Sequence, residues 1–182
     1  MSVQTRVVEK KGLQAVDVAI VAVLLAVGAV LRSFVPPFFG ITPNLIIGMY
    51  CLAVLLLKPK FGPIIGIGLV AAALCQFTSK SAIPYLNFIS EPVGALVVGL
   101  LGLIKMEAGV LKYVRPFVIT FLGTLASGFS YVAVFKIAAL FVSIPKNPAF
   151  VYLSGVVLIT AIANSILASV LYFPLKTALG KK

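Results

Sequence analysis

Apolar residues in this chain come in long runs rather than in alternation. The stretch AVDVAIVAVLLAVGAVLRSFV, residues 15–35, holds one acidic and one basic side chain in 21 positions. Five more runs follow, at about 43–57, 62–78, 89–104, 116–141 and 149–175. A helix needs about 20 apolar residues to cross a hydrocarbon core about 30 Å thick. Membrane β-strands would show alternating ten-residue segments, and none occur. The pattern predicts an all-α membrane protein with six transmembrane helices in a single domain, 1–182, the second helix being short for a span. The breaks are punctuated as expected. Pro36-Pro37 ends the first run, because proline has no amide hydrogen and disfavours helix in the residue before it. KPKFG, SKSAIPYLNF, KMEAGVLKYVR and SIPKNP separate the others.

Composition supports this class. Of 182 residues, 62% are hydrophobic and 10% charged, and mean hydropathy is +1.19. The basic flank and long first run predict a retained spanning helix, since a cleaved signal has a shorter apolar core and a small-residue cleavage site. The net charge of +11 could suggest a nucleic-acid partner, but Lys and Arg in a membrane chain mostly mark cytoplasmic loops. Arg6, Lys10, Lys11, Lys58, Lys60, Lys105, Lys112, Arg115, Lys176, Lys181 and Lys182 fall on one predicted side, and Arg32, Lys80, Lys136 and Lys146 at or near the other. That bias predicts cytoplasmic termini in a plasma membrane and no nucleic-acid partner.

The chain has no histidine, which removes the usual zinc sites and the commonest general base. Cys51 and Cys75 lie in apolar runs and read as small hydrophobes rather than as a disulfide or metal pair. No phosphate-binding loop, H-E-x-x-H or G-x-S-x-G motif occurs. No cofactor, metal or catalytic residue is expected.

Ionisable groups inside a bilayer are costly and therefore candidates for function. Counting along each run at about 1.5 Å per residue, Arg32, Asn44, Gln76, Asn87, Glu91 and Lys136 fall in the outer third, with Asn87 in the loop before the fourth helix. Phe38, Phe39, Phe77, Tyr85, Phe88, Tyr131 and Phe135 share that level. Polar groups converging among aromatics make a small-molecule site. Arg32, Asn44, Gln76, Tyr85, Asn87, Glu91, Tyr131, Phe135 and Lys136 are the candidate substrate-binding residues. Glu91 could hold an ammonium, and Arg32 or Lys136 a carboxylate. The plainer alternatives are that Arg32 and Lys136 snorkel to the interface, that Glu91 pairs with one of them or favours a helix N-terminus, and that the aromatics form an interfacial belt. Asn164, about 22 Å from the outer end of its helix, is expected to bond a neighbouring helix, and Asp17, at the start of the first helix, to be structural, where a carboxylate suits the helix dipole.

Ala15, Ala19, Ala22, Ala26 and Ala29 recur at spacings of four and three, on one face of the first helix. Such a face allows close approach of another helix, either inside the bundle or on a partner membrane protein. GPIIGIG in the third run has a similar small-residue pattern, expected to pack internally.

These features resemble the substrate-binding S components of energy-coupling factor (ECF) transporters, and among them the tryptophan-specific family. The carrying residues are FFGITPNLIIGMYCLAVLLLKPKFG and IPYLNFISEPVGAL, with the Ala-x-x-x-Ala pairs Ala15/Ala19 and Ala22/Ala26. Where the family pattern has an acidic residue followed by lysine, this chain has Ser90 and Glu91. The resemblance implies a six-helix bundle that binds a scarce nutrient, tryptophan or a related aromatic compound, at its outer face. It also implies docking through Ala15, Ala19, Ala22 and Ala26 on a transmembrane coupling protein (T component) driven by two cytoplasmic ATPase subunits. The alternatives are an S component for a vitamin or other nutrient, a solitary small-molecule transporter, and a lipid-modifying enzyme with Glu91 as its lone outer carboxylate.

Overall fold

The computed structural model describes residues 12–36, 42–104, 106, 109–144 and 147–180. Among them are six α-helices and no strand: α1 (Ala15–Phe34), α2 (Ile46–Leu57), α3 (Phe61–Thr78), α4 (Asn87–Leu101), α5 (Leu111–Phe141) and α6 (Phe150–Ala178), with a 3₁₀ turn at Pro84–Leu86 leading into α4. Phe38, Phe39, Arg6, Lys10, Lys11, Lys105, Lys146, Lys181 and Lys182 lie outside the described residues.

Six helices were expected to span, but five segments are long and apolar enough to do so. The exception is α2. Its 12 residues rise about 18 Å, well short of a bilayer core of about 30 Å. Every α2 residue from Ile46 to Leu56 is buried. A helix apolar on all sides needs neighbours on all sides, and α2 contacts each of the other five α-helices. Around it the packing order is α1, α3, α4, α5, α6. Local chemistry sets its ends. The Asn44 side-chain oxygen accepts the Ile46 amide at 3.2 Å, an Asx-type turn. Lys58 closes the helix at φ +47°, and Pro59 follows, which cannot extend it.

Other boundaries shift as well. Helix α4 starts at Asn87, so this residue is helical rather than in the preceding loop, and Pro92 is the sixth helical residue instead of a first-turn one. Gly68 of α3 meets the chain there: a Cβ at Gly68 would lie 2.6 Å from the Pro92 Cα. Helix α5 begins at Leu111 and runs through Pro116, and α6 runs through Pro174 to Ala178.

The small-residue faces divide. Helix α1 packs inward through Val21, Leu24, Leu25, Gly28 and Arg32, at spacings of three and four. Ala15, Ala19, Ala22 and Ala26 are exposed on its other side and Ala29 is half-buried. In α3, Gly62 and Gly66 face outward with nothing near them, contrary to the expected internal packing; Gly68 is the buried one. Asp17 accepts the Gln14 amide at 3.2 Å and so caps the start of α1.

Candidate binding site

The late start of α2 places Asn44 inside the bundle, where it links four helices. With its oxygen held by the Ile46 amide, its Nδ2 donates to Glu91 Oε1 on α4 at 2.6 Å and approaches Cys75 Sγ on α3 at 3.4 Å. Its carbonyl accepts from Asn164 Nδ2 on α6 at 3.0 Å. The second Glu91 oxygen accepts from Ser127 Oγ on α5 at 3.0 Å. Gly94, one turn beyond Glu91, leaves room for the Tyr50 hydroxyl, which would collide with a Cβ there.

Arg32 enters from α1 and is 4% exposed; Glu91 is 1% exposed. Both charges are buried, yet they do not touch. The Cys75 thiol lies between them, 2.8 Å from Arg32 Nη1 and 3.9 Å from Glu91 Oε1. Arg32 Nε has no partner, nor do the hydroxyls of Thr42 and Ser90. Buried charges that lack a direct partner are expensive, by several kcal/mol each at the order-of-magnitude level. They are retained where something else completes them.

Arg32, Glu91, Thr42 and Ser90 line an open-mouthed pocket whose empty space, counted out to the mouth, is about 560 Å³. Ser127, Asn87, Thr160 and Tyr131 add polar groups, and Ile47, Val132, Leu153, Val156 and Val157 supply an aliphatic wall. The pocket lies near the ends of α1, α3 and α4, about halfway along α5 and in the early turns of α6. The connection after α3 borders it through Ser79 and Ser81. That connection is tied down: Tyr131 donates to the Ile83 carbonyl at 3.1 Å and is bonded to Ser81. Asn87 and Gln76 both donate to the Pro84 carbonyl, at 2.6 and 3.0 Å.

A family model described as "Tryptophan transporter TrpP" matches residues 14–180. The chain belongs to this family. A "Probable tryptophan transport protein" of Bacillus subtilis (strain 168) is 30% identical over 169 residues, which cover 91% of this chain and 93% of the relative. No solved structure gives a significant match. Five long apolar helices accord with a family of membrane transporters.

Within this TrpP-family chain, Arg32, Asn44, Asn87, Glu91 and Tyr131 all line the pocket. Four other expected residues do not. Gln76 ties the loop as above. Tyr85 is 70% exposed on the outside. Phe135 is buried behind the wall, against Val132, Leu153 and Val157. Lys136 Nζ donates to Asn147 Oδ1 and to the Pro148 carbonyl, each at 2.6 Å, and so holds the α5–α6 connection. Phe77 and Phe88 face outward too. Asn164 bonds a neighbouring helix as expected, at Thr124 Oγ1 of α5 (3.5 Å), but its shorter bond is to the Asn44 carbonyl ahead of α2, so it supports the site from below. The residues missed are Cys75, Thr42, Thr124, Ser127 and Thr160. Thr124, Ser127 and Tyr131 lie three and four apart, a polar stripe on one face of α5. Cys75 was read as a small hydrophobe, and nothing in its local sequence marks it as an acceptor for arginine.

Proposed function

We propose that this chain is the substrate-binding subunit of an ECF-type importer in a bacterial plasma membrane, taking up tryptophan. The observation that carries the reading is the polarity of the pocket: a buried guanidinium and a buried carboxylate held apart, next to an aliphatic wall. A free amino acid is a zwitterion. Its carboxylate fits Arg32, whose Nε is unpaired, and its ammonium fits Glu91, whose Oε2 accepts only from Ser127 and has a lone pair to spare. An indole ring fits against Ile47, Leu153 and Val157. Ligand binding would bring each buried charge the partner it lacks.

The ECF-type coupling is supported by α1, whose Ala15, Ala19, Ala22 and Ala26 face is turned away from the bundle and left smooth for another helix. The charge bias supports a pocket mouth that opens outside the cell. The protein has no tryptophan, so added tryptophan is the sole indole in the sample. Its emission is expected to shift to shorter wavelength on binding, and the protein to gain thermal stability. If neither occurs, tryptophan is not the ligand, and vitamins or other nutrients take its place.

A second reading, solitary transport, is favoured by one feature. The α5 stripe, whose Thr124 lines the pocket, continues below it as Thr120; both are buried, and Thr124 meets Asn164. Uptake by the purified chain alone in liposomes would support that reading over the first.

A further inference from the structure

A second cavity lies at the opposite end of the bundle, between the C-terminal ends of α2 and α4 and the N-terminal ends of α3 and α5. It encloses about 510 Å³ out to its mouth and is lined by Lys58, Arg115 and apolar side chains including Val54, Leu55, Ile64 and Leu103. Arg115 is 8% exposed. Its Nη2 donates to the Gly102 carbonyl at 2.6 Å, which accounts for one bond at the end of α4. Its Nε is buried without a partner, and among the described residues the guanidinium meets no carboxylate. Lys58 faces the same cavity from the end of α2, so two cations share it. Lys60, Lys112 and Lys176 lie at the same end of the bundle.

We infer that this cavity binds phosphate, and that its occupant is the headgroup of an anionic phospholipid. A buried guanidinium with free donors matches a phosphate better than any other common membrane anion, because it can present a fork of N–H groups to the oxygens. The apolar half of the lining fits the first carbons of an acyl chain. Leu100 and Leu103, both well exposed at the end of α4, continue that apolar surface outward. Basic pockets between helix ends on the cytoplasmic side suit such headgroups. The site is separate from the amino-acid pocket and does not depend on the substrate proposed above.

The test uses the full chain in nanodiscs and in detergent. Phosphatidylglycerol should raise the melting temperature and stay bound in native mass spectra, and phosphatidylcholine should do neither. Lys58→Gln and Arg115→Gln should each lower phosphatidylglycerol retention by about tenfold or more, the effect of one lost charged contact, and Arg115→Lys should recover part of it. Lys58 is exposed, so its variant keeps the fold even if Arg115→Gln does not. Stabilisation by inorganic phosphate but not by the lipid would keep the site and assign it to a soluble phosphate. Equal retention by wild type and Lys58→Gln would overturn the proposal. So would thermal losses in Arg115→Gln and Glu107→Gln that match and ignore lipid, which would give the guanidinium to Glu107, a residue outside the described ones.

Discussion

Two charges, Arg32 and Glu91, line the pocket, and the Cys75 thiol beside it keeps them apart. In a low-dielectric interior, Arg32 and Glu91 would gain most from direct pairing, but the neighbours of Glu91 hold it elsewhere: Asn44 takes one oxygen and Ser127 the other. This arrangement leaves both charges available to a ligand of opposite polarity at each end. Arg32→Gln and Glu91→Gln should each weaken tryptophan binding by about tenfold to a hundredfold, the range of one hydrogen bond to a charged group, as read from fluorescence titration. Glu91→Ala should also cost stability, about 1–3 kcal/mol for each buried donor it leaves unsatisfied, because Asn44 Nδ2 and Ser127 Oγ lose their acceptor. Lys136→Gln should leave affinity unchanged, since this lysine is bonded to the α5–α6 connection and not to the pocket.

At the scale of elements, α2 is what builds the site. Because it begins only at Ile46, its first turn lies inside the bundle. Asn44 can then reach α4 and α6 at once. The contact of α3 with α4 at Pro92 depends on Gly68. Gly68→Val should lower thermal stability by about 1–3 kcal/mol through overpacking against backbone, whereas Gly66→Ala, which has open space beyond its Cα, should be neutral or slightly stabilising. Helix α1 packs inward through one face and leaves Ala15, Ala19, Ala22 and Ala26 exposed on the other, the face proposed above for docking. Ala19→Leu and Ala22→Leu should leave melting temperature and ligand affinity as they are and reduce cellular uptake. Loss of binding in these variants would show that the alanine face supports the bundle instead.

At the scale of the whole molecule, the two pockets lie at opposite ends, and the cations follow the same division: Lys58, Lys60, Lys112, Arg115 and Lys176 at one, Arg32, Lys80 and Lys136 toward the other. Positive charge collects on the cytoplasmic side of membrane proteins. A cysteine at Lys60 should therefore react with an impermeant thiol reagent only after the cells are opened, and one at Lys80 in intact cells. Cys51 and Cys75 are buried and add little background. Uptake should disappear when the coupling protein or its ATPases are deleted; persistence at full rate would favour solitary transport.

Hydrophobic runs alone determined the all-helical membrane class, the order of the helices and the bias of charge between their ends, because a bilayer filters sequences by length and polarity before any side chain meets another. They also marked Arg32, Asn44, Asn87, Glu91 and Tyr131, since polar groups at the ends of apolar runs stand out one by one. Tertiary structure decided which of the marked residues meet. Gln76, Tyr85, Phe135 and Lys136 share a level with the pocket but not its direction, and direction depends on how each helix is rotated against its neighbours. The short reach of α2, the thiol between the two charges and the Thr124–Ser127 wall arise only from close packing of distant segments. No local pattern carries that information, because Cys, Ser and Thr are unremarkable in any single apolar helix and become polar partners only when another helix brings a charge to them.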